Sequence, residues 1–137
     1  MDSIETKNRF GKTFCITEYD SANDWIYANW FGFVTPDDIK KWSVDYLKLL
    51  NQTNCSRFLI NNKELRGPWQ QANEWIAVEL TPKAIAGGLR YYAHVVSPDL
   101  FGAMSVNDLE KRVEGVGFVM RVFKEMDAAQ DWLSTCT

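Results

Sequence analysis

Thiols and imidazoles are scarce in this chain: 137 residues hold three cysteines and one histidine. Cys15, Cys55 and Cys136 show no CxxC spacing, and an odd, scattered set of thiols argues against a disulfide framework. A single histidine gives no support to a conventional zinc site. No residue adjacent to a cysteine would lower its pKa, so the three read as small apolar fillers in a reducing cytoplasm. The chain also lacks any apolar run long enough to span a bilayer. Met1-Asp2-Ser3-Ile4-Glu5 has neither the basic start nor the apolar stretch of a cleavable signal.

Basic charge is in deficit too. A net charge of −3 and a pI near 5.1 argue against a nucleic-acid partner, which calls for a clustered basic surface. The pairs Lys40-Lys41 and Lys111-Arg112 read as solvated helix faces. No GxSxG elbow, Walker loop or GxGxxG fingerprint is present, and Gly87-Gly88 lacks the remaining residues of a phosphate loop. Neither a cofactor nor a metal is expected, and no motif assigns a catalytic residue.

What the chain has is apolar and aromatic mass: 46% hydrophobic residues, with six tryptophans among 14% aromatics. That is enough for one α/β domain spanning residues 1–137, with 1–12 expected as a flexible segment. Thr13 to Asp20 and Asp24 to Phe33 are β-type runs joined by Ser21-Ala22-Asn23, which predicts an antiparallel hairpin. In the second run Ile26, Ala28 and Trp30 share one face; Trp25, Tyr27, Asn29 and Phe31 share the other. Both faces are largely apolar, which predicts cover on two sides.

Thr35-Pro36-Asp37-Asp38 reads as a helix start, followed by the stripe Ile39, Trp42, Tyr46, Leu49 and Leu50. Arg57-Phe58-Leu59-Ile60 reads as a short buried strand, and Asn61 to Pro68 as a polar turn. Pro68 opens a helix bearing Trp69, Ala72, Trp75, Ile76 and Leu80, until Pro82 breaks or kinks it. Leu89 to Val96 is the next strand. Ser105-Val106-Asn107-Asp108 suggests the start of a helix carrying Leu109 and Val113, stopped by Gly115 before a strand Gly117 to Phe123. A final helix presents Ala129, Trp132 and Leu133. The sum is a hairpin followed by β-α units, a mostly parallel five-stranded sheet with about four helices.

Three segments carry a family likeness: Lys63-Glu64-Leu65-Arg66-Gly67-Pro68-Trp69 with Glu74-Trp75-Ile76; Gly88-Leu89-Arg90-Tyr91-Tyr92-Ala93 leading to Ser97-Pro98-Asp99; and Val122-Phe123 with Ala128-Ala129-Gln130-Asp131-Trp132-Leu133. In their order and spacing the chain resembles the STAS superfamily, the anti-sigma-factor-antagonist-like fold, in its uncharacterised bacterial branch. The resemblance implies a non-catalytic binding or signalling module, some of whose relatives bind apolar or nucleotide ligands. Regulatory members are switched by phosphorylating a Ser or Thr where the helix after the central strand begins. This chain has no Ser or Thr between Ile60 and Gln71, so that switch is not carried over.

Ligands of open α/β sheets collect beyond strand carboxyl ends, so the bends at 62–69 and 97–99 are expected to share one rim. Lys63, Glu64, Arg66 and Trp69 surround a helix start whose free N–H groups would favour an anion, although charged turn residues also serve simply as surface. His94, with Ser97 and Asp99 near the end of its strand, could act as a base in a small hydrolase or isomerase. A packed, hydrogen-bonded histidine is the simpler reading, with Ser97 as a turn or cap residue and Asp99 at a first turn. Trp69, Trp75 and Tyr92 could line the crevice of an apolar-ligand or lipid carrier, or lie in a homodimer contact. The expected partner is therefore an unidentified small molecule or protein.

Overall fold

The computed structural model describes residues 3–137. One six-stranded sheet runs in chain order: β1 (Ile4–Lys7), β2 (Thr13–Asp20), β3 (Trp25–Gly32), β4 (Arg57–Leu65), β5 (Tyr91–Val95) and β6 (Val119–Phe123). The first three strands pair antiparallel, and β3 to β6 pair parallel. The hairpin Thr13–Asp20 with Trp25–Gly32 is as expected. The sheet has six strands rather than five, however, because residues expected as a flexible leader form an edge strand. Thr6 is its buried anchor and donates to Asp45 Oδ2 at 3.0 Å.

Each parallel step is bridged by a helix. Helix α1 (Pro36–Thr53) starts as its sequence predicts: Thr35 Oγ1 accepts from the Asp38 N–H at 3.1 Å, and Asp38 Oδ2 accepts from the Thr35 N–H at 3.0 Å. This reciprocal cap satisfies two end donors at once. Helix α3 (Leu100–Arg112) begins earlier than Ser105, because Asp99 is its cap and accepts from the Gly102 N–H at 2.6 Å. Ser105 lies inside this helix, fully buried. Helix α4 (Met126–Thr135) closes the chain.

Two segments depart from expectation around the middle strand. The polar run after Ile60 stays in the sheet as far as Leu65, since its backbone continues to pair with β3. Between the pairs Asn29–Asn61 and Phe31–Glu64 only Trp30 faces both Asn62 and Lys63, a bulge of one residue against two. The bulge shifts the alternation, so that Asn62 and Leu65 are both buried. The helical run at 70–86, α2, is not broken by Pro82. It joins a 3-10 turn (Gln70–Ala72), one α turn (Asn73–Trp75), a π turn (Ile76–Leu80) and an α segment (Thr81–Ala86). In an α-helix the proline ring would meet the carbonyl four residues back; here a wide turn precedes it. Thr81 donates both its N–H and its Oγ1 to the Ile76 carbonyl, the latter at 2.8 Å.

Helices α1, α2 and α3 cover one sheet face and α4 the other. The larger core holds Ile26, Ala28 and Trp30 of β3 with α1's stripe; the smaller holds Trp25, Leu59, Ala93 and Val95 with Ala129 and Leu133. The two apolar faces read in β3 are therefore both covered. Across the larger core runs a file of rings, with Trp42 stacked on Tyr46, Tyr46 on Phe58 and Phe58 on Tyr92, centroids 5.1, 4.4 and 5.3 Å apart.

Candidate functional site

The two bends meet at one rim, as the strand directions require. Ser97 Oγ donates to the Leu65 carbonyl at 2.9 Å, and the Gly67 N–H donates to Asp99 Oδ2 at 3.2 Å. One turn further, the Trp69 N–H donates to Ser105 Oγ at 3.1 Å. These bonds consume donors that an anion at this helix start would need. Arg66 turns back onto the carbonyls of Lys63 and Leu65, and Lys63 pairs with exposed Glu125 at 3.0 Å. Glu64 is exposed. Lys63 is thus engaged by Glu125, Arg66 by the backbone and Asp99 by its cap.

His94 is 1% exposed and belongs to a different environment. Its Nε2 accepts from Asn62 Nδ2 at 3.2 Å and its Nδ1 faces Tyr92 Oη. An amide NH₂ can only donate, so the neutral ring carries its proton on Nδ1 and gives it to the tyrosine oxygen. Burial lowers the His94 pKa to about 3 and raises that of Tyr92 well above its ordinary value. Both nitrogens are engaged with residues other than Ser97 and Asp99, so His94 is the packed, hydrogen-bonded histidine of the simpler reading, and the alternative of a base beside Asp99 is not assembled.

Behind the rim, between the sheet and α1–α3, lies a cavity with about 80 Å³ of room for the centres of water-sized spheres. That is several times the roughly 10–15 Å³ one water needs on this measure. Its sheet wall is Trp30, Phe58, Ile60, Asn62, Tyr92 and His94; Trp42 and Tyr46 of α1 face them, and Ile76, Leu80, Thr81 and Ala84 of α2 close one side. Among the described residues no Lys, Arg, Asp or Glu lines it. The π turn supplies Ile76 and Leu80 to this wall, in keeping with the association of such turns with functional sites. Trp69 and Tyr92 belong to the lining as the crevice reading expected, whereas Trp75 does not: it is half-buried outside, with Lys40 Nζ 5.7 Å from its ring.

On residues of this wall, four polar atoms are buried with no partner among the described residues, each of them closed off from solvent: Trp30 Nε1, Tyr46 Oη, Asn62 Oδ1 and Trp69 Nε1. Their residues are 5%, 1%, 4% and 7% exposed. By contrast Trp42 Nε1, in the same file of rings, donates to Thr17 Oγ1 at 2.9 Å. Orphaned polar atoms are uncommon in folded interiors and call for an explanation. Sequence reasoning passed over Trp30, Tyr46 and Asn62 as site residues. The usable signal was that polar-tipped rings on one core stripe each need a partner, and too few Ser, Thr or Asn residues share that stripe to provide one.

Val113, Phe118 and Met120 line both this cavity and a second cleft beside Glu110, Lys111 and Gly115. Neither a protein-family model nor a curated protein sequence matches the chain.

Proposed function

We propose that this protein is a non-catalytic, STAS-like ligand-binding module that takes a small, mainly apolar molecule into the cavity between its sheet and α1–α3. The observation that carries the reading is the cavity itself. Native cores are close-packed, and empty space in them forfeits dispersion contacts; a void of this size, walled by large rings, is a cost that a guest would remove. Concave sites with apolar walls and a few polar groups are the usual form of small-molecule sites. The entrance is read at Val113, Phe118 and Met120, which the cavity shares with the neighbouring cleft. The three free thiols suit a reducing compartment.

Native mass spectrometry of protein purified from its own host, beside the variant Ala84→Leu, tests the reading. Ala84 is 2% exposed on the cavity wall, and a larger side chain there fills the void. The wild type should carry a small-molecule mass and be stabilised by added toluene. Ala84→Leu should carry none, ignore toluene, and gain about 1 kcal/mol in urea denaturation. A wild-type chain that carries no mass and gains nothing from toluene overturns the proposal.

A second reading, a protein contact, is favoured by Phe33, Leu100, Phe101 and Met104, which are all exposed. Phe33 overlies Gly67, which is bonded to Asp99 next to Leu100, so these apolar side chains gather at the rim. Sedimentation that changes with concentration would support a homodimer there.

A further inference from the structure

We infer that the outer edge of β6 is where a second copy of this chain docks, by antiparallel β6–β6 pairing about a two-fold axis that carries one sheet through both copies. The contact is independent of the cavity and of its guest. The strands stand in chain order, so β1 and β6 are the edges of the sheet, and an edge strand offers unpaired N–H and C=O groups to any further strand. The two edges are finished differently. β1 is four residues long, carries a register shift at Thr6/Lys7, exposes Glu5 and Lys7, and has the Lys7 carbonyl filled by Lys41 Nζ. Shortness, irregularity and charge are the devices that keep an edge from pairing. β6 lies along β5 over its whole length without a shift, and every residue in it except Arg121 is apolar. Val119 is 48% exposed, and Val116 just before the strand 45%.

The ladder shows which backbone groups are left over. The Val119 N–H donates to the Arg90 carbonyl and the Phe123 carbonyl accepts from the Val96 N–H, both at 2.9 Å, so Val119, Arg121 and Phe123 bond inward to β5. Alternate residues of a strand turn their N–H and C=O to opposite sides. Met120 and Val122 therefore present theirs outward, where no described strand takes them, and such groups call for a partner.

Charge decides what that partner is. The cleft beside the amino end of β6 carries Glu110, Lys111 and Glu114, an acidic balance. Towards the carboxyl end stand Arg121 and Lys124, both exposed, while Glu125 is already paired with Lys63. Among the described residues Glu110, Glu114 and Lys124 have no ion-pair partner. An antiparallel two-fold sets the acidic end of each copy beside the basic end of the other, and does so twice. Parallel pairing would set like charges together. Arg121 lies back over its own Phe123 and Trp132, with Cζ 5.5 Å from each ring centre, so the one charge within the strand does not bar the edge.

Sedimentation equilibrium of the full chain, in low and high salt, tests the contact. Wild type should dimerise, more weakly in high salt. Val122→Pro removes an outward N–H and no bond of the ladder, and edge strands accept proline in that orientation; its dimer dissociation constant should rise about tenfold or more. Lys124→Glu, at an exposed position, should raise it about threefold or more in low salt. The double variant Glu114→Lys/Lys124→Glu exchanges the charges across the axis and should recover most of that loss. Melting curves establish that the variants are folded.

A wild type that stays monomeric at every concentration overturns the proposal. A dimer that tolerates both Val122→Pro and Lys124→Glu overturns it too, and one lost instead in Phe101→Ser places the contact at the rim. A double variant as weak as Lys124→Glu overturns the antiparallel orientation.

Discussion

On one side of the sheet, α4 sets Ala129 and Leu133 against Trp25, Leu59, Ala93 and Val95; on the other, three helices cover an aromatic file with a void beside it. Both layers are apolar, and both would be scored as core from the sequence. They differ in what stands between helix and sheet: Ala93 and Ala129 are fully buried where α4 packs, whereas Trp30, Trp42, Tyr46, Phe58 and Tyr92 stand between α1 and the sheet. A layer closed partly by alanines and a layer built on large flat rings thus lie on opposite faces of one sheet.

The strongest way to break this comparison is truncation on each face. Leu133→Ala should cost about 2–5 kcal/mol in urea denaturation, the range for a fully buried leucine whose space cannot collapse. Leu80→Ala, on a wall that already borders empty space, should cost about half as much, because fewer contacts are lost. Equal losses would mean that the two faces are packed alike.

Next in size is a pH effect confined to the hollow face. His94 is held neutral with its pKa lowered to about 3, while in the unfolded chain it titrates near 6.5. Below pH 6.5 the unfolded state therefore binds a proton that the folded state refuses. Stability is complete above about pH 6.5 and is lost as pH falls toward 3, by about 2 kcal/mol at pH 5. In His94→Gln this component disappears, so its unfolding free energy should fall less steeply between pH 7 and 5; identical slopes would show that His94 is protonated in the folded protein.

The smallest expected effect belongs to the rim. Lys63 and Glu125 are both exposed, and such ion pairs are worth about 0–1 kcal/mol. Lys63→Ala should leave the denaturation midpoint and the stabilisation by toluene almost unchanged. A marked loss of that stabilisation would move the site from the interior to the surface.

The sequence was a good guide where one residue type has one local use. Thr35, Pro36 and Asp38 announce α1, and Ser21-Ala22-Asn23 announces the hairpin turn. It was a poor guide where tertiary pairing overrides local preference. Ile4–Lys7 is short, with only Thr6 buried, so it carries no alternation to read. Asn61, Asn62 and Lys63 look like a turn and are strand, because β3 pairs with them across a bulge. Leu100, Phe101 and Met104 are exposed in the first half of α3; with no buried stripe there, Ser105 looked like the start. The shared rim of the bends at 62–69 and 97–99 was foreseeable from strand direction. A crevice was read from Trp69, Trp75 and Tyr92, of which Trp69 and Tyr92 line the cavity; the rest of its wall was not legible, because Trp30 and Tyr46 look like any core residue until the geometry withholds their partners.

The π turn at Ile76–Leu80 has a consequence for how such a protein can change over generations. Its bonds span five residues where an α-helix spans four, and Val78 within it faces solvent. Losing that one codon would turn the five-residue Thr81–Ile76 bond into an ordinary four-residue one and leave Thr81 and Ala84 where they stand. It would also set the Pro82 ring against the carbonyl four residues back, so the extra residue is what lets a proline stand in the middle of this run.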